Sequence, residues 1–308
     1  MFEFHRQLLA DEVRTTLFRE AIARVVKQDD IVLDIGTGTG VLAFFACQAG
    51  ARHVYAVEMR HSADAALMLA RRFGYAERVT VFHARSNDVE LPEPATVLIT
   101  ETLGSLGFNE GFLGTVEDAR ARLLAPGARI IPSHVELWAA PAELPEFYAR
   151  QIDWWRTPRY GFDFSPLRLF ASNAAYSTEI VPAALLAPPT PVMSADAASF
   201  EGTAQGGSVV FRTQRDGVLH GFALGFTATL APGVTVTNAW SGADSWERGV
   251  LPLDEPVEVG AGTEIELTLA TGDGRSWRWS GTIGRPGVAF DQTTILSRPP
   301  CSLTSQPL

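Results

Sequence analysis

Ile31-Val32-Leu33-Asp34-Ile35-Gly36-Thr37-Gly38-Thr39-Gly40 is the stretch on which the fold turns. Four of its first five residues are apolar, the composition of a parallel strand covered on both faces. Three glycines at alternate positions then let backbone approach a ligand where any Cβ would intrude. Val41 to Ala49 follows as an apolar, Ala-rich helix stopped by Gly50, so the turn lies at a helix N-terminus carrying partial positive charge. Such a place favours an anionic ligand group.

The spacing is Gly-x-Gly-x-Gly, where dinucleotide binders have Gly-x-Gly-x-x-Gly, and the acidic Asp34 precedes it inside the strand. A carboxylate there repels phosphates and suits an ammonium group, as in an amino-acid-bearing ligand. The next predicted strand, His53 to Glu58, ends in an acid 22 residues after Gly36, where a carboxylate can accept both hydroxyls of a ribose. Together Asp34, Gly36, Gly38 and Glu58 point to S-adenosylmethionine.

The rest of the chain bounds this reading. At 308 residues and 46% hydrophobic content there is material for two domains with ample core. No run reaches 18 apolar residues, and the first twenty residues carry Glu3, His5, Arg6, Asp11, Glu12 and Arg14. A signal peptide and a membrane anchor are therefore not expected, and the cytoplasm is the default compartment. Cys47 and Cys301 make no disulfide framework, and the six histidines show no ligand spacing, so no metal is expected. The formal charge of −10 disfavours nucleic acid and attracts cationic substrates. Lys27 is the sole lysine, which with abundant Ala, Arg and Pro reads as genomic base bias.

Residues 8 to 26 have helical spacing, with Leu8, Leu9, Val13, Leu17, Phe18, Ile22 and Val25 toward one face and Asp11, Glu12 and Arg14 on the other. Arg14 is either a solvated helix charge or a cation reaching over a ligand carboxylate. A helix from about Ser62 to Phe73 and strands at Val79 to Ala84 and Val97 to Thr100 complete right-handed βαβ units and a doubly wound, mostly parallel sheet. Ligands sit beyond the carboxyl ends of such strands, where Gly36, Glu58, the Ser86-Asn87 pair and Glu101 all fall. Glu101 opens a Gly-containing segment closed nine residues later by Glu110, which reads as the start of the next helix. The pair is either a solvated loop edge with a helix N-terminal acid, or two carboxylates clamping a flat cation such as guanidinium.

From Ile131 onward the pattern is of strands. Ser208 to Thr213 and Val218 to Thr229 flank Arg215-Asp216-Gly217, a hairpin signal, and Thr263 to Leu269 and Ser276 to Ile283 flank Gly272-Asp273-Gly274. A looser Ala- and Pro-rich stretch, about 181–198, precedes them. This is antiparallel barrel or sandwich material. The final two dozen residues, with Pro286, Pro299, Pro300 and Pro307, read as an irregular tail.

Asp11-Glu12-Val13-Arg14-Thr15, Leu33 to Gly40, and Glu101 with Gly104 and Glu110 resemble the protein arginine methyltransferase family, and the two glutamates match its double-glutamate loop. Ala125-Pro126-Gly127 and Ile131-Pro132 resemble its passage between domains; Trp154-Trp155 and Tyr160-Gly161-Phe162-Asp163 resemble its helical arm, though ordinary packing would also account for these aromatics. The resemblance is to a divergent, bacterial member. It implies an α/β Rossmann-like class I methyltransferase domain (1–132), then an antiparallel β-barrel domain (133–308) with an inserted helical dimerisation arm at about 145–176. S-adenosylmethionine is the implied cofactor and a homodimer the implied assembly. His5 and Arg14 would lie over its methionine part, Asp34, Gly36 and Gly38 on its centre, Glu58 on the ribose and Ser86 with Asn87 near adenine. Glu101 and Glu110 would clamp a guanidino group, arginine in a protein or peptide. Three departures stand out: a family helix with two tyrosines before the His5 position has no counterpart, leaving Phe2, Phe4 or a partner to cover the site. Asp244-Ser245-Trp246 stands where the family has Thr-His-Trp, and Leu103 where a methionine is common. These leave room for an enzyme of free arginine or another guanidino small molecule, and for a non-catalytic cofactor-binding member.

Overall fold

The computed structural model describes residues 2–238 and 247–294; Asp244-Ser245-Trp246, Cys301 and the prolines of the tail beyond residue 294 lie outside them. The chain runs α1 (Phe2–Ala10), α2 (Glu12–Val25), β1 (Ile31–Ile35), α3 (Val41–Ala49), β2 (His53–Glu58), α4 (Ser62–Arg72), β3 (Val79–His83), β4 (Ala95–Thr100), α5 (Phe112–Arg122) and β5 (Leu124–Ile131). It continues through β6 (His134–Ala142), α6 (Pro145–Gln151), α7 (Arg168–Ser172), β7 (Tyr176–Thr178), β8 (Thr190–Asp196), β9 (Gln205–Arg212), β10 (Gly217–Ala231), β11 (Val234–Thr237), β12 (Arg248–Val259), β13 (Glu264–Thr271), β14 (Trp277–Ile283) and β15 (Val288–Thr293).

β1 to β5 form a parallel sheet in the order β3-β2-β1-β4-β5. The order reverses between β1 and β4, and that is where such sheets open a ligand crevice at their carboxyl ends. Ile35 and Thr100 are register partners there, so Gly36 and Glu101 leave neighbouring strand ends. β5 was expected only as a passage between domains. It is an edge strand, and its Ala125-Pro126-Gly127 falls at a register shift, where proline removes no ladder hydrogen bond.

The helix predicted over residues 8 to 26 is two helices. Asp11 interrupts it, and its side chain caps α2 by accepting the Arg14 N–H at 2.9 Å. The break resets the helical phase. Leu9 and Val13, placed by periodicity on the buried face, are 45% and 59% exposed, while Asp11 and Arg14, placed outside, are buried.

The remaining strands form two antiparallel sheets, β7-β12-β10-β6-β8 with β11 on β10, and β15-β14-β13-β9. The hairpin at Gly272-Asp273-Gly274 joins β13 to β14, and Asp273 accepts the Arg275 and Ser276 N–H groups at 2.9 and 2.8 Å. The hairpin expected at Arg215-Asp216-Gly217 is absent: β9 pairs with β13 whereas β10 pairs with β6 and β12, so the chain crosses between sheets. Glu143 directs the crossing, since its carboxylate accepts from the Arg215 guanidinium and from the Val218 N–H at 3.0 Å. The stretch read as loose, 181–198, contains the edge strand β8, whose Pro191 again meets a register shift. Between β6 and β7 lies a helical insert of α6, two 3-10 turns and α7. Its base is tied to the barrel by the Tyr148 hydroxyl, which accepts from Arg168 within the insert and donates to the Asp254 carbonyl of β12 at 2.6 Å, and by Gln292 of β15, which donates to the Ser172 carbonyl at 2.7 Å. Its tip carries Tyr160 at 92% exposure.

One apolar core runs without interruption from Phe18 and Ile22 through Leu33 and Leu98 to Phe226, Trp277 and Trp279. Trp279 is fully buried and links the two antiparallel sheets, its indole N–H donating to the Pro252 carbonyl at 2.9 Å. Trp279→Phe is expected to cost about 1–3 kcal/mol for the unpaired carbonyl and lost ring, and Trp279→Ala about 3–5 kcal/mol, both read by urea denaturation. Equal stability of Trp279→Phe and the parent would mean that the hydrogen bond contributes nothing.

Candidate active site

The turn after β1 is held open by left-handed backbone. Gly36, Gly38 and Gly40 have φ of +79°, +56° and +89°, and the Gly36 and Thr37 N–H groups donate to the Val57 carbonyl at 2.9 and 3.1 Å. A Cβ on Gly38 would lie 3.1 Å from the His5 ring, so α1 closes down on the turn through His5. Phe4, expected with Phe2 to cover the crevice, is 54% exposed and meets the His5 ring edge-on; His5 rather than Phe4 faces the turn.

Glu58 is buried at the end of β2, its two carboxylate oxygens accepting the Gly38 N–H at 3.0 Å and the Arg60 N–H at 2.8 Å. A carboxylate offers about four acceptor sites, so capacity for two hydroxyls remains. Asp34, expected against a ligand, is wholly buried and accepts the Thr37 hydroxyl at 2.6 Å. Burial pushes its carboxyl up to about 7, opposed by the Thr37 bond and reinforced by the charge of Glu58. It braces the turn from behind through Thr37. Ser86 and Asn87 form a 3-10 turn after β3, and the Ala84 N–H that leads into it donates to the Glu58 carbonyl at 3.1 Å. Asn87 is exposed at the rim.

Arg14 is buried, so its reading as a solvated helix charge fails. Its guanidinium donates to Glu101 Oε2 at 2.7 Å and to the Leu8 carbonyl at 2.9 Å, tying α1 and α2 to the end of β4. Glu101 is likewise no solvated loop edge, with a side chain only 13% exposed. Glu110 was expected to open a helix, but α5 starts at Phe112 behind its N-cap Gly111. Glu110 stands in the loop itself. Its charge raises the pKa of Glu101, and Arg14 acts on both glutamates, so the two carboxylates share one region of space.

The loop between the glutamates is shaped by close approaches. Gly104 has φ +63°, and a Cβ there would lie 2.3 Å from Asn109 Oδ1, which accepts the Leu106 N–H at 2.9 Å. Leu103, Leu106 and Phe108 sink into the core as apolar anchors; Leu103 therefore packs inward. The barrel closes on the far side: Gly107 abuts Phe226, Gly249 abuts Leu106, and the Gly274 turn rests on the Phe108 carbonyl. Asn109, Asn238 and Ser177 take part in holding this loop and were missed in the sequence. Only Asn109 left a local signal, an Asn at a tight Gly-rich bend.

Burial pushes the Glu101 carboxyl up to about 7, with Arg14 opposing and Glu110 adding to the rise. Partial desolvation also raises Glu110, opposed by Arg14 and then by Arg60. Desolvation lowers His5, and the charge of Glu58 opposes that. Glu101 is thus a carboxylate held largely out of water, with Glu110 beside it on the exposed side of the loop.

Comparison with known proteins agrees with this arrangement. Residues 13–105 match a family model described as ribosomal protein L11 methyltransferase, and residues 134–281 match the arginine methyltransferase oligomerization subdomain. Protein arginine N-methyltransferase 6 of Xenopus laevis is 33% identical over 286 residues, covering 87% of this chain and 84% of that protein. A probable protein arginine N-methyltransferase 6 of Arabidopsis thaliana is 39% identical over 174 residues, 56% of this chain and 40% of that protein. Two solved structures share the fold: the Trypanosoma brucei PRMT1 enzyme-prozyme heterotetrameric complex with AdoHcy (TM-score 0.83, 23% identity, 95% of this chain and 98% of that one) and Arabidopsis thaliana protein arginine methyltransferase 10 in an open conformation (TM-score 0.80, 26% identity, 95% and 97%). The relatives named here are eukaryotic, which gives no support to a bacterial origin. With a third of its residues identical across most of both chains, and a shared fold, the chain belongs to the protein arginine N-methyltransferase family.

Proposed function

We propose that this protein transfers a methyl group from S-adenosylmethionine to the guanidino group of arginine in a protein or peptide. The observation that carries the reading is the convergence of Glu101 and Glu110 beside Arg14, at the strand end adjoining the glycine turn. The residues present fit the cofactor: Gly36 and Gly38 leave a cradle without side chains, and Glu58 keeps acceptor capacity for a ribose. Arg14 and His5 would meet its amino-acid end, and Ser86 and Asn87 its adenine. The cofactor supplies an electrophilic methyl on a sulfonium.

The chain's part is positional and electrostatic. Guanidinium is a poor nucleophile because its lone pairs are delocalised. A carboxylate about 4 Å from it is worth roughly 4 kcal/mol at an effective dielectric of about 20, enough to hold charge at one end of the group and leave the other nitrogen more nucleophilic. Glu101 takes this role and accepts the proton released; Glu110 orients the group. The residues divide between a cofactor half, 1–132, and a barrel half, 133–308, whose arm over about 145–176 presents Tyr160, Phe162 and Phe170 to solvent. That exposed aromatic tip supports a homodimer. The charge of −10 supports a cationic protein substrate over nucleic acid, and among the described residues no helix is long and apolar enough to cross a membrane. We place the enzyme in the cytoplasm.

Glu101→Gln is expected to lower transfer of labelled methyl to an arginine-rich peptide by about 10²-fold or more, since it removes a group acting on the developing charge. Full transfer by the variant would end the clamp reading, and label on free arginine alone would move the substrate to small molecules. Because Glu101 must be ionised and its carboxyl lies at about 7 in the free protein, kcat/KM should climb as pH rises through about 7 and level off above it. A flat profile from pH 6 to 8 would contradict this. Replacing Tyr160 and Phe162 with serine should convert a dimer to a monomer in sedimentation experiments; an unchanged dimer would exclude the arm as the interface.

A further inference from the structure

We propose that Asn238 is a positioning residue for the acceptor clamp, fixing the middle of the glutamate loop so that Glu101 and Glu110 face a single cation. The inference rests on the guanidinium-clamp reading above and names a part of the machinery that lies outside the crevice. Asn238 follows β11 and is wholly buried. Its Oδ1 accepts the Phe226 N–H at 2.7 Å, and its Nδ2 donates to the Ser105 carbonyl at 2.9 Å and to the Glu247 carbonyl at 3.0 Å. Both amide hydrogens and the amide oxygen are engaged, one contact reaching the barrel strand β10, one the glutamate loop and one the chain entering β12.

Ser105 stands near the midpoint between the glutamates, and its hydroxyl meets the Ser177 hydroxyl at 2.6 Å. Leu103, Leu106 and Phe108 are apolar anchors and set depth without setting direction, and the Asn109 bond to the Leu106 N–H is internal to the loop. The Asn238 amide supplies direction, because a hydrogen bond weakens steeply when its donor and acceptor turn away from each other. Phe226, which it closes, is also the residue against which Gly107 of the loop packs. A peptide unit of the loop and the strand behind it are thereby locked in one register. Asn238 touches neither substrate nor cofactor and acts only through the loop.

Asn238→Asp tests this together with Asn238→Ala: the aspartate keeps the shape and the acceptor for Phe226 with at most one donor for two carbonyls, and the alanine removes both donors. Hydrogen exchange followed over residues 101–111, in protein without substrate, should speed by about 10-fold or more while β13 and β14 keep their protection. With an arginine-rich peptide, kcat should fall by about 10²-fold, the scale of a misplaced catalytic group, with affinity for S-adenosylhomocysteine unchanged. In Asn238→Ala, which adds no charge, the acid limb of kcat/KM should move to lower pH, because Glu110 no longer adds its charge beside Glu101. If the aspartate variant does not fold, Asn238→Ala decides alone. Unchanged loop exchange, loss of protection throughout the barrel in both variants, or an equal fall in kcat and cofactor affinity would each overturn the proposal. Should the parent protein methylate no guanidino group, the function proposed above fails, and the exchange experiment still decides whether Asn238 holds the loop.

Discussion

The buried ion pair between Arg14 and Glu101 is the contact through which the parts of this molecule meet. One partner comes from the second helix and the other from the end of β4, 87 residues later. Neither charge is well solvated, so removing Arg14 leaves Glu101 buried without its cation, which costs about 3–5 kcal/mol in typical cases. The Asp11 cap sets the start of α2 and hence the reach of Arg14, and the bond from Arg14 to the Leu8 carbonyl keeps α1 over the glycine turn. A cation arriving at Glu101 shares that carboxylate with Arg14. An anion arriving over α2 shares Arg14 with Glu101. Cofactor side and acceptor side are thus linked through one pair of charges.

The barrel acts in this arrangement as a support. Gly107, Gly249 and Gly274 are positions where loop and barrel come closer than a Cβ would allow, and the apolar core crosses from one half of the chain to the other without a gap. Segments that carry function are held most accurately on rigid elements. Here the glutamate loop has the parallel sheet on one side and β7, β10 and β12 on the other.

Legibility in the sequence followed the range of the interactions concerned. β1, its glycine turn and α3 could be read because strand composition, glycine spacing and helix stop are written within twenty residues. Glu58 and Glu101 could be placed because parallel strands leave their ends on one side of a sheet, whereas Glu110, read as opening a helix, lies in the loop before α5. Arg14 was left between two readings, since helical periodicity cannot tell that Asp11 breaks the helix and turns the arginine inward. The bond from Thr37 to Asp34 was not foreseen, because the burial that directs it is a property of what packs behind the turn. The Arg215-Asp216-Gly217 segment carries turn chemistry and is a turn, yet Glu143, more than seventy residues earlier, decides that it joins two sheets and not two neighbouring strands.

By itself the sequence determined the parallel α/β half, the strand-rich half and which acidic residues leave the ends of β2 and β4, because these rest on local periodicity, glycine geometry and the types of residue at strand ends. The tertiary structure alone decided which charges are buried together, how the loop between the glutamates is held, and that Asn238 closes on it. Those outcomes depend on close packing and on hydrogen bonds between residues up to 133 positions apart, and no local pattern encodes a contact whose two sides are written that far from each other.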